Sequence, residues 1–353
     1  MRQHGLENTT PLESWVETAR KYQRDPVSHS TEFGLTRHEG DDPHRLEEWR
    51  RNVGAHVALD LTSPASDTSV PRSLIVLSWN LWIGRGRLST VVTRIRNGDY
   101  ASLGADPSLP LAVMVQEAYR SDASVPPLQE GRVGRVLVAG LREQEDIVET
   151  ARALGLNLRY APSMRNGPTS SDRGNAVLST LPLEHAHAIE LPLVLQRRVA
   201  VTAAVSLGAT RLRLISGHLD PRGPPGHRWL GASGRAQQAR HLLEQVQEDT
   251  VVLGADLNLG RGRYEPAWRL LEEAGFSFGV PPTVPAWRHT FHALPRLVLD
   301  YILVRNGCGV VAAARVHRLD EHPEDRGARV FGSDHHPLLA RIDLEPQPKD
   351  PGE

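Results

Sequence analysis

The stretch Gly332-Ser333-Asp334-His335-His336-Pro337 leads directly into the apolar run Leu338-Leu339-Ala340-Arg341-Ile342. The apolar run predicts a β-strand. An Asp beside a His at its entrance offers an oxygen ligand for a divalent cation and an imidazole that can transfer a proton. Such a pair also occurs in ordinary polar turns. Its significance therefore depends on what the rest of the chain carries.

Short apolar, β-branched runs predict further strands, and longer stretches between some of them predict helices. Strands are expected at residues 74–79, 111–115, 176–178, 199–205, 212–216, 250–254, 299–304, 310–316 and 338–342, and helices near 142–154, 234–247 and 265–274. This alternation predicts an α/β fold in which helices cover sheets. The chain carries no glycine-rich phosphate loop of the Walker or dinucleotide type.

Polar residues stand at one end of many of these predicted strands. They are Asn80, Glu117, His218, Asp256 and Asn258 after strands, and Asp300, Asp334 and His335 at strand entrances. Individually, each could be a helix cap, an Asx turn or a buried histidine that packs in the core. Together they are explained by a single catalytic rim, because alternating strand directions bring such ends to one edge of a sheet.

These residues belong to a series of short motifs. The series is Ser78-Trp79-Asn80, Gln116-Glu117, Gly174-Asn175-Ala176-Val177-Leu178-Ser179, Ser216-Gly217-His218-Leu219, Gly254-Ala255-Asp256-Leu257-Asn258, Leu299-Asp300-Tyr301-Ile302 and Ser333-Asp334-His335. In order and approximate spacing it resembles the endonuclease/exonuclease/phosphatase superfamily over residues 72–344. The resemblance implies an α/β fold that is a four-layer sandwich of two mostly antiparallel or mixed β-sheets flanked by helices. It also implies metal-dependent hydrolysis of phosphate esters.

The resemblance and the side-chain chemistry together suggest a role for each residue. Asn80, Glu117 and Asp334 are the candidate metal ligands, and Mg²⁺ is the expected cofactor, with Mn²⁺ as an alternative. The candidate catalytic residues are His218, Asp256, Asn258, Asp300 and His335. Asp256 would orient the attacking water, and Asp300 would pair with His335, which acts either as a base or as an imidazolium that binds phosphate. His218, Asn258, Asn175 and Arg173 are the candidate substrate contacts.

The segment around His218 also bears on the branch of the superfamily. Abasic-site repair members usually carry a Tyr-containing motif here, whereas pancreatic-type deoxyribonucleases and sphingomyelinases carry His, so the chain looks more like the second group. We therefore expect a divalent-metal-dependent phosphoesterase that hydrolyses a phosphodiester or phosphomonoester by in-line attack of water. The substrate could be nucleic acid, phospholipid or inositol phosphate. The alternative is a noncatalytic phosphate-ligand binding or scaffold protein that retains the fold.

The charge balance limits the range of partners. A net charge of −1 and a pI near 7.0 argue against a protein that coats nucleic acid through a basic field over the whole molecule. Two interpretations of a set of arginines stay open, since they could line a local anionic site or be solvated surface residues. These are Arg197, Arg198, Arg222, Arg228, Arg261 and Arg263.

The remaining segments are expected to flank the catalytic domain at 72–344. Residues 1–71 predict a polar N-terminal extension with one amphipathic helix at 42–57 and a linker at 62–69, and residues 345–353 predict a disordered tail. The Pro-containing insert at 121–140 predicts a lid or a partner surface. His336 offers an extra ligand, although a surface histidine at the strand entrance is the favoured interpretation. The single Cys308, with no signal peptide or membrane span, predicts a cytoplasmic protein, and no protein partner is identifiable.

Overall fold

A computed structural model of the chain describes residues 33–38, 43–62, 71–128, 143–221, 231–278, 289–307, 309–322 and 327–345. These residues form two mixed seven-stranded β-sheets that pack face to face, with helices on the outer faces. The α/β fold class and the sandwich expected from the sequence are confirmed.

The elements follow one another along the described chain as strands interrupted by helices. The strands are β1 (Gly34–Thr36), β2 (Val57–Leu59), β3 (Ser73–Asn80), β4 (Leu111–Ser121), β5 (Asn157–Arg165), β6 (Ser171–Ser179), β7 (Glu184–Glu190), β8 (Val199–Leu207), β9 (Thr210–His218), β10 (Thr250–Asp256), β11 (Phe276–Phe278), β12 (Asp300–Asn306), β13 (Val311–Arg318) and β14 (Leu338–Leu344). The helices are α1 (Pro43–Arg50), α2 (Leu88–Arg96), α3 (Ile147–Leu154), α4 (Gly231–Gln245) and α5 (Pro266–Glu273).

The two sheets have the spatial orders β1-β7-β8-β9-β10-β12-β11 and β13-β14-β3-β4-β6-β5-β2. The central pairs β9–β10 and β3–β4 are parallel, whereas β12 runs antiparallel to β10 and β14 antiparallel to β3. Strands β3 and β10 are buried along their whole length, because one face meets the other sheet and the second face meets helices. This double burial explains why their sequences are apolar runs rather than alternating patterns.

The layers are held together by three apolar clusters. Val76 and Ile302 belong to the cluster between the sheets. Helices α2 and α3 cover the outer face of the second sheet through residues such as Val91 and Ile147, and α4 and α5 cover the outer face of the first. Burial of such side chains stabilises the fold by about 1.5–3 kcal/mol each.

The two sheets approach each other closely beside the predicted catalytic rim. A Cβ atom added at Gly254 in β10 would lie 2.6 Å from Met114 Cε and 2.8 Å from Ser78 Oγ. Real side chains do not pack at these separations, so β10 can approach β3 and β4 only because residue 254 is glycine. The close approach brings the ends of β3 and β10 within reach of each other.

The helix expected at 42–57 is shorter in the structure. Helix α1 ends at Arg50, and Val57 already begins β2, which pairs with β5. Between them the backbone N–H of Gly54 donates to Asp172 Oδ2 at 2.8 Å, and a side chain at this position would overlap the buried Arg120–Asp172 ion pair. The helix therefore ends before Gly54, whose backbone N–H binds the buried carboxylate of Asp172.

Residues before position 71 take part in both sheets. β1 adds to the first sheet beside β7, and β2 adds to the second sheet beside β5. A domain division at residue 71 stays a prediction. Trp15, the linker at 63–69, residues 129–140 of the insert, Cys308 and the tail after Glu345 lie outside the described residues. Among the helices that the structure describes, none has the length and apolarity needed to cross a membrane.

Candidate active site

Strand ends from both sheets meet at one edge of the sandwich. Asp256, the last residue of β10, lies in register with His218 at the end of parallel β9 and with Asp300 at the start of antiparallel β12. In the second sheet β3 ends at Asn80, and antiparallel β14 begins just after His335. Parallel strands end at the edge where antiparallel neighbours begin, so the topology itself gathers these side chains.

Asp256 is the centre of the cluster. Its Oδ2 accepts a hydrogen bond of 2.8 Å from Asn80 Nδ2, across the junction between the two sheets. The same oxygen lies 3.4 Å from His218 Nε2 and 3.9 Å from His335 Nε2. Oδ1 accepts the backbone N–H of Asn258 at 3.0 Å. The Asp256 carboxylate is thereby fixed between two imidazoles.

The environment of Asp256 shifts its protonation equilibrium. The residue is 1% exposed. This burial, followed by the negative charge of Asp300, raises the pKa of Asp256 to about 7 against the opposing effect of His335. The carboxyl group therefore exchanges its proton near neutral pH.

His335 is held as an imidazolium by Asp300. Its Nδ1 donates to Asp300 Oδ2 at 2.8 Å, and both residues are buried. Burial alone would lower the pKa of His335, but the charge of Asp300 and this hydrogen bond, with a further contribution from Asp256, raise the pKa to about 10. The Nε2 of His335 therefore keeps its proton and faces Asp256 Oδ2.

His218, in contrast, is held as a neutral ring. Arg198 Nη1 lies 3.0 Å from His218 Nδ1, and a guanidinium can only donate, so Nδ1 is the acceptor and the proton of the neutral ring is on Nε2. Burial and then the charge of Arg198 hold the pKa of His218 well below its ordinary value. Asp220 fixes the guanidinium by accepting from Arg198 Nε at 3.0 Å.

Two further residues position the strand entrance. Ser333 Oγ donates to the carbonyl of Asn80 at 2.7 Å and accepts the backbone N–H of His335 at 3.0 Å. Trp79 Nε1 donates to the carbonyl of His335 at 2.8 Å. Both residues occur in the sequence motifs, but their roles depend on pairing between β3 and β14 and had no local signal.

A second part of the site is acidic. Glu117 lies at an irregularity of β4 between Val115 and Ala118, and its φ is +51°, which is uncommon for a residue with a side chain. Asp334 is mostly buried, and its Oδ1 has no hydrogen-bond partner among the described residues. Burial, and also the charge of Glu117, raise the pKa of Asp334 to about 6, although the charge of His335 opposes the shift.

These groups fit a divalent cation of the Mg²⁺ type. The buried Asp334 Oδ1 accepts no hydrogen bond from the described residues and lies 3.9 Å from His335 Nε2, so it keeps lone pairs for a cation, and Mg²⁺ prefers oxygen ligands. The amide of Asn80 is oriented by its own bonds, because Nδ2 donates to Asp256 and Oδ1 accepts the N–H of Trp82 at 2.9 Å. Ligand atoms of Asp256, Asp300 and His335 also lie within 4.8 Å of one another, which is close enough for a cation.

The candidate substrate contacts differ in how many of their N–H groups are already used in hydrogen bonds within the protein. Arg173 is buried, its Nη1 donates to Asn166 Oδ1 at 3.3 Å, and its Nε has no partner among the described residues. Asn258 Nδ2 donates to the carbonyl of Leu219 at 3.0 Å. Asn175 Nδ2 donates to the carbonyl of Val199 at 2.9 Å, so this amide braces β6 against β8.

For two of the arginines, the structure overturns both interpretations, a local anionic site and a solvated surface position. Arg197 and Arg198 are neither solvated nor available to an anion, because both are buried in ion pairs, with Glu190 and Asp220 respectively. Arg261 and Arg263 are exposed, and Arg222 and Arg228 lie outside the described residues. The expectation of a surface His336 is also wrong, since its exposed fraction is 0%.

The sequence matches the model of the Endonuclease/Exonuclease/phosphatase family over residues 77–335, which is more than half of the chain. The protein therefore belongs to this family, whose members are phosphoric ester hydrolases. No curated protein sequence matches the chain significantly.

Several solved structures resemble the fold at low sequence identity. A family protein from Leptotrichia buccalis C-1013-b is 14% identical with a TM-score of 0.49, and the match covers 77% of this chain and 99% of that one. Sphingomyelinase C from Streptomyces griseocarneus is 17% identical with a TM-score of 0.46 and the same coverage. The human nocturnin catalytic domain is 14% identical with a TM-score of 0.48, covering 83% of this chain and 98% of that one.

Proposed function

We propose that this protein is a phosphoesterase that requires a divalent cation and hydrolyses a phosphodiester or phosphomonoester by in-line attack of water. The observation that carries the proposal is the setting of Asp256, a carboxyl group with a pKa of about 7 that lies between His218 and His335. The family match supports hydrolysis of a phosphate ester as the reaction class. Nucleic acid, phospholipid and inositol phosphate are the candidate substrates.

Asp256 is proposed to orient the attacking water and accept its proton. A base works best when its pKa lies near the working pH, and the buried carboxylate of Asp256 meets this condition. Its Oδ2 is fixed by Asn80, so the group does not need to reorganise when water is bound.

His335 is proposed to act as an imidazolium that donates to a phosphoryl oxygen. The sequence leaves open whether this residue is a base or a phosphate-binding cation. A pKa of about 10 favours the cation, because the ring keeps both protons at neutral pH. Asp300 stabilises this charge through Nδ1, which leaves Nε2 for the substrate.

The neutral His218 is proposed as a second donor to the phosphate or the leaving oxygen. Its Nδ1 is occupied by Arg198, and only Nε2–H can reach a substrate. Asn258 and Arg173 would add donors to the phosphoryl oxygens, since each keeps at least one N–H outside the bonds described above. Asn175 would support the substrate pocket from the adjoining strand.

Glu117 and Asp334 are proposed to hold the cation, with the amide oxygen of Asn80 as a further ligand or as a partner of a bound water. Mg²⁺ or Mn²⁺ bound there would neutralise charge that develops on the phosphoryl group. The buried Oδ1 of Asp334 supports this assignment over a site among Asp256, Asp300 and His335, where a hydrogen bond of 2.8 Å already joins two of the three groups.

The test is hydrolysis of bis(p-nitrophenyl) phosphate and p-nitrophenyl phosphate, followed by a nuclease, phospholipid and inositol-phosphate panel, each with Mg²⁺, Mn²⁺ or a chelator. We expect metal-dependent turnover that falls about 10²- to 10⁴-fold in Asp256→Asn, because the substitution removes the proton acceptor and keeps the shape. Asp343→Asn is the matched control, since Asp343 lies near the other end of β14 and bonds Ser73 and Arg341.

Two results would overturn the proposal. One is the absence of metal-dependent turnover on every substrate of the panel, which would favour the alternative of a phosphate-binding or scaffold protein. The other is turnover that Asp256→Asn and Asp343→Asn reduce equally, which would assign the activity to a different site or to a contaminant.

A further inference from the structure

A buried pair of hydrogen-bond donors lies at the end of the hairpin between β5 and β6. It consists of Arg173, a candidate substrate contact, and Asn166, which lies outside the sequence motifs. Their exposed fractions are 7% and 2%. Arg173 Nη1 donates to Asn166 Oδ1 at 3.3 Å, and this bond joins the two side chains.

The amide of Asn166 has a fixed orientation. A guanidinium only donates, so the amide oxygen faces Arg173 and the NH2 group is on the other side of the amide. Nδ2 is buried and has no hydrogen-bond partner in the part of the chain that the structure describes. A buried N–H group without an acceptor costs free energy, and native proteins keep few of them. The NH2 group of Asn166 therefore lacks an acceptor that a ligand could supply.

The hairpin does not need the side chain of Asn166. An Asn in a turn commonly accepts the backbone N–H two residues on, but that residue is Pro168, which has no N–H. The backbone N–H of Asn166 donates to the carbonyl of Ser171 at 2.9 Å, and Thr169 Oγ1 donates to the carbonyl of Asn166 at 2.8 Å. These bonds close the turn, so local turn chemistry does not explain the Asn side chain.

The charge of Arg173 is not neutralised by a carboxylate. Arg197 and Arg198 are buried in ion pairs with Glu190 and Asp220, whereas the described residues give Arg173 no ion pair, and its buried Nε has no hydrogen-bond partner among them. A guanidinium stays charged in proteins, and a buried charge is unfavourable without a counter-charge. The surroundings of Arg173 therefore favour an anion.

The pair lies beside the proposed cation site and the catalytic residues. Arg173 in β6 pairs with Tyr119 of β4, two positions after Glu117. Burial lowers the pKa of Arg173, while the charge of Glu117 raises it and the charge of Arg198 lowers it. The charge of Arg173 in turn contributes to the lowered pKa of His218. Arg173 is therefore close enough to interact with both Glu117 and His218, which are proposed to act on the substrate phosphate.

We propose that Asn166 is a further substrate-binding residue, whose Nδ2 acts with the remaining N–H groups of Arg173 to bind an anionic phosphate oxygen of the substrate. The assignment rests on the proposed phosphoesterase function, which supplies the anion. One phosphate oxygen would give the amide its acceptor and the buried guanidinium its counter-charge. Charge-assisted hydrogen bonds of this kind are about twice as strong as neutral ones.

The experiment measures binding of inorganic phosphate to the full chain by isothermal titration calorimetry in the presence of Mg²⁺. Asn166→Asp keeps the shape of the side chain and the acceptor for Arg173, but it replaces the NH2 donor by a carboxylate oxygen. We expect the Kd of phosphate to rise at least about tenfold, because a hydrogen bond to a charged group is lost and the new carboxylate neutralises Arg173. Denaturant unfolding should show no loss of stability, since the new carboxylate forms an ion pair with Arg173.

Asn306→Asp is the matched control. It makes the same change from amide to carboxylate at the far end of β12, where the side chain bonds the backbone of Val311. Its Kd for phosphate should equal that of the wild type. Since binding is measured without turnover, the two proposals can fail separately. Phosphate binding that depends on Asn166, in a protein that hydrolyses no substrate, would refute the hydrolase and leave the anion site in place.

The proposal is overturned if the wild type does not bind phosphate, or if Asn166→Asp binds it as tightly as Asn306→Asp. A loss of stability in Asn166→Asp with an unchanged Kd would show that Asn166 has a structural role instead. Should Asn166→Asp fail to fold, a crystal structure of the wild type with phosphate decides. A phosphate oxygen within about 3.2 Å of Asn166 Nδ2 supports the proposal, and its absence there overturns it.

Discussion

His335 and His336 are neighbours in the chain, yet they belong to two clusters with different chemistry. Side chains alternate along extended backbone, so His335 points to the carboxylates of Asp300 and Asp256 while His336 points to His292 and the carbonyl of Leu319. Both rings have a carboxylate beside Nδ1, Asp300 for His335 and Asp320 for His336, but His336 also meets a carbonyl and a second imidazole. The contacts around each ring therefore set its chemistry.

The two carboxylates beside these histidines also differ. Asp320 is shared between His336 and Arg318, whose Nη2 lies 2.8 Å from its Oδ1. Asp300 has His335 as its charged partner, and its second oxygen has no hydrogen-bond partner among the described residues. The charge of Asp300 therefore acts on His335, while much of the charge of Asp320 is compensated by a guanidinium.

The largest expected effect follows from removing the charge of Asp300. In Asp300→Asn the imidazolium of His335 loses its main stabilising charge, and we expect kcat to fall about 10²- to 10⁴-fold. Asp320→Asn makes the same change beside His336, and we expect a loss of less than about tenfold. Steady-state kinetics of both variants measure the difference. Equal losses would show that the two histidine clusters do not have separate functions.

The pH dependence of kcat/KM gives a second test of the same contrast. Activity should rise as Asp256 loses its proton and should fall as His335 loses its proton near pH 10. A bound cation shifts the acid limb below pH 7, because positive charge favours the carboxylate. In Asp300→Asn the fall in activity at high pH should begin at a lower pH, since the charge that raises the pKa of His335 is gone.

Initial rates between about pH 5 and about pH 11 measure both limbs. Asp320→Asn is again the comparison variant, and its alkaline limb should coincide with that of the wild type. An alkaline limb that stays in place in Asp300→Asn would contradict the assignment of His335 as the imidazolium.

Much of the fold follows from apolar runs, and two of the strands that were not predicted, β5 and β7, share a cause. Runs such as 74–79 and 250–254 predict the buried central strands because burial on both faces requires continuous apolar sequence. β5 and β7 do not show a continuous apolar run, since each contains a buried charged residue. The charge of Arg159 in β5 is paired with Asp60, 99 positions away, and the charge of Glu190 in β7 is paired with Arg50, 140 positions away, as well as with the nearby Arg197. Asp60 and Arg50 are too distant in the chain to leave a local signal.

The candidate site was likewise predictable only in part. The polar residues at strand ends were identifiable because their positions relative to apolar runs can be read locally. Their charge states were not, because they depend on contacts between residues far apart in the chain, such as Arg198 with His218 and Asp300 with His335. His289 and His292 had no motif at all, and only folding brings them to His336.

The smallest expected effect concerns stability and the acidic side of the site. The pKa of Asp334 is raised from 3.8 to about 6 in the folded protein by burial, with a further contribution from Glu117, so ionised Asp334 lowers the free energy of unfolding. This penalty is absent below pH 3.8, grows as pH rises, and is complete above about pH 6. We expect Asp334→Asn to gain about 1–3 kcal/mol of stability at about pH 8 without divalent cations.

Denaturant unfolding in a chelator at about pH 8 and about pH 4 measures the gain, which should vanish at the lower pH because Asp334 is then protonated in the folded state. Mg²⁺ should stabilise the wild type more than Asp334→Asn, since the cation relieves the same repulsion that the substitution removes. Asp320→Asn should show no such gain, because Arg318 and His336 favour the ionised carboxylate and hold the pKa of Asp320 below its ordinary value despite burial. A gain in Asp334→Asn that persists at the lower pH would contradict an electrostatic origin and would separate this carboxylate from the cation site.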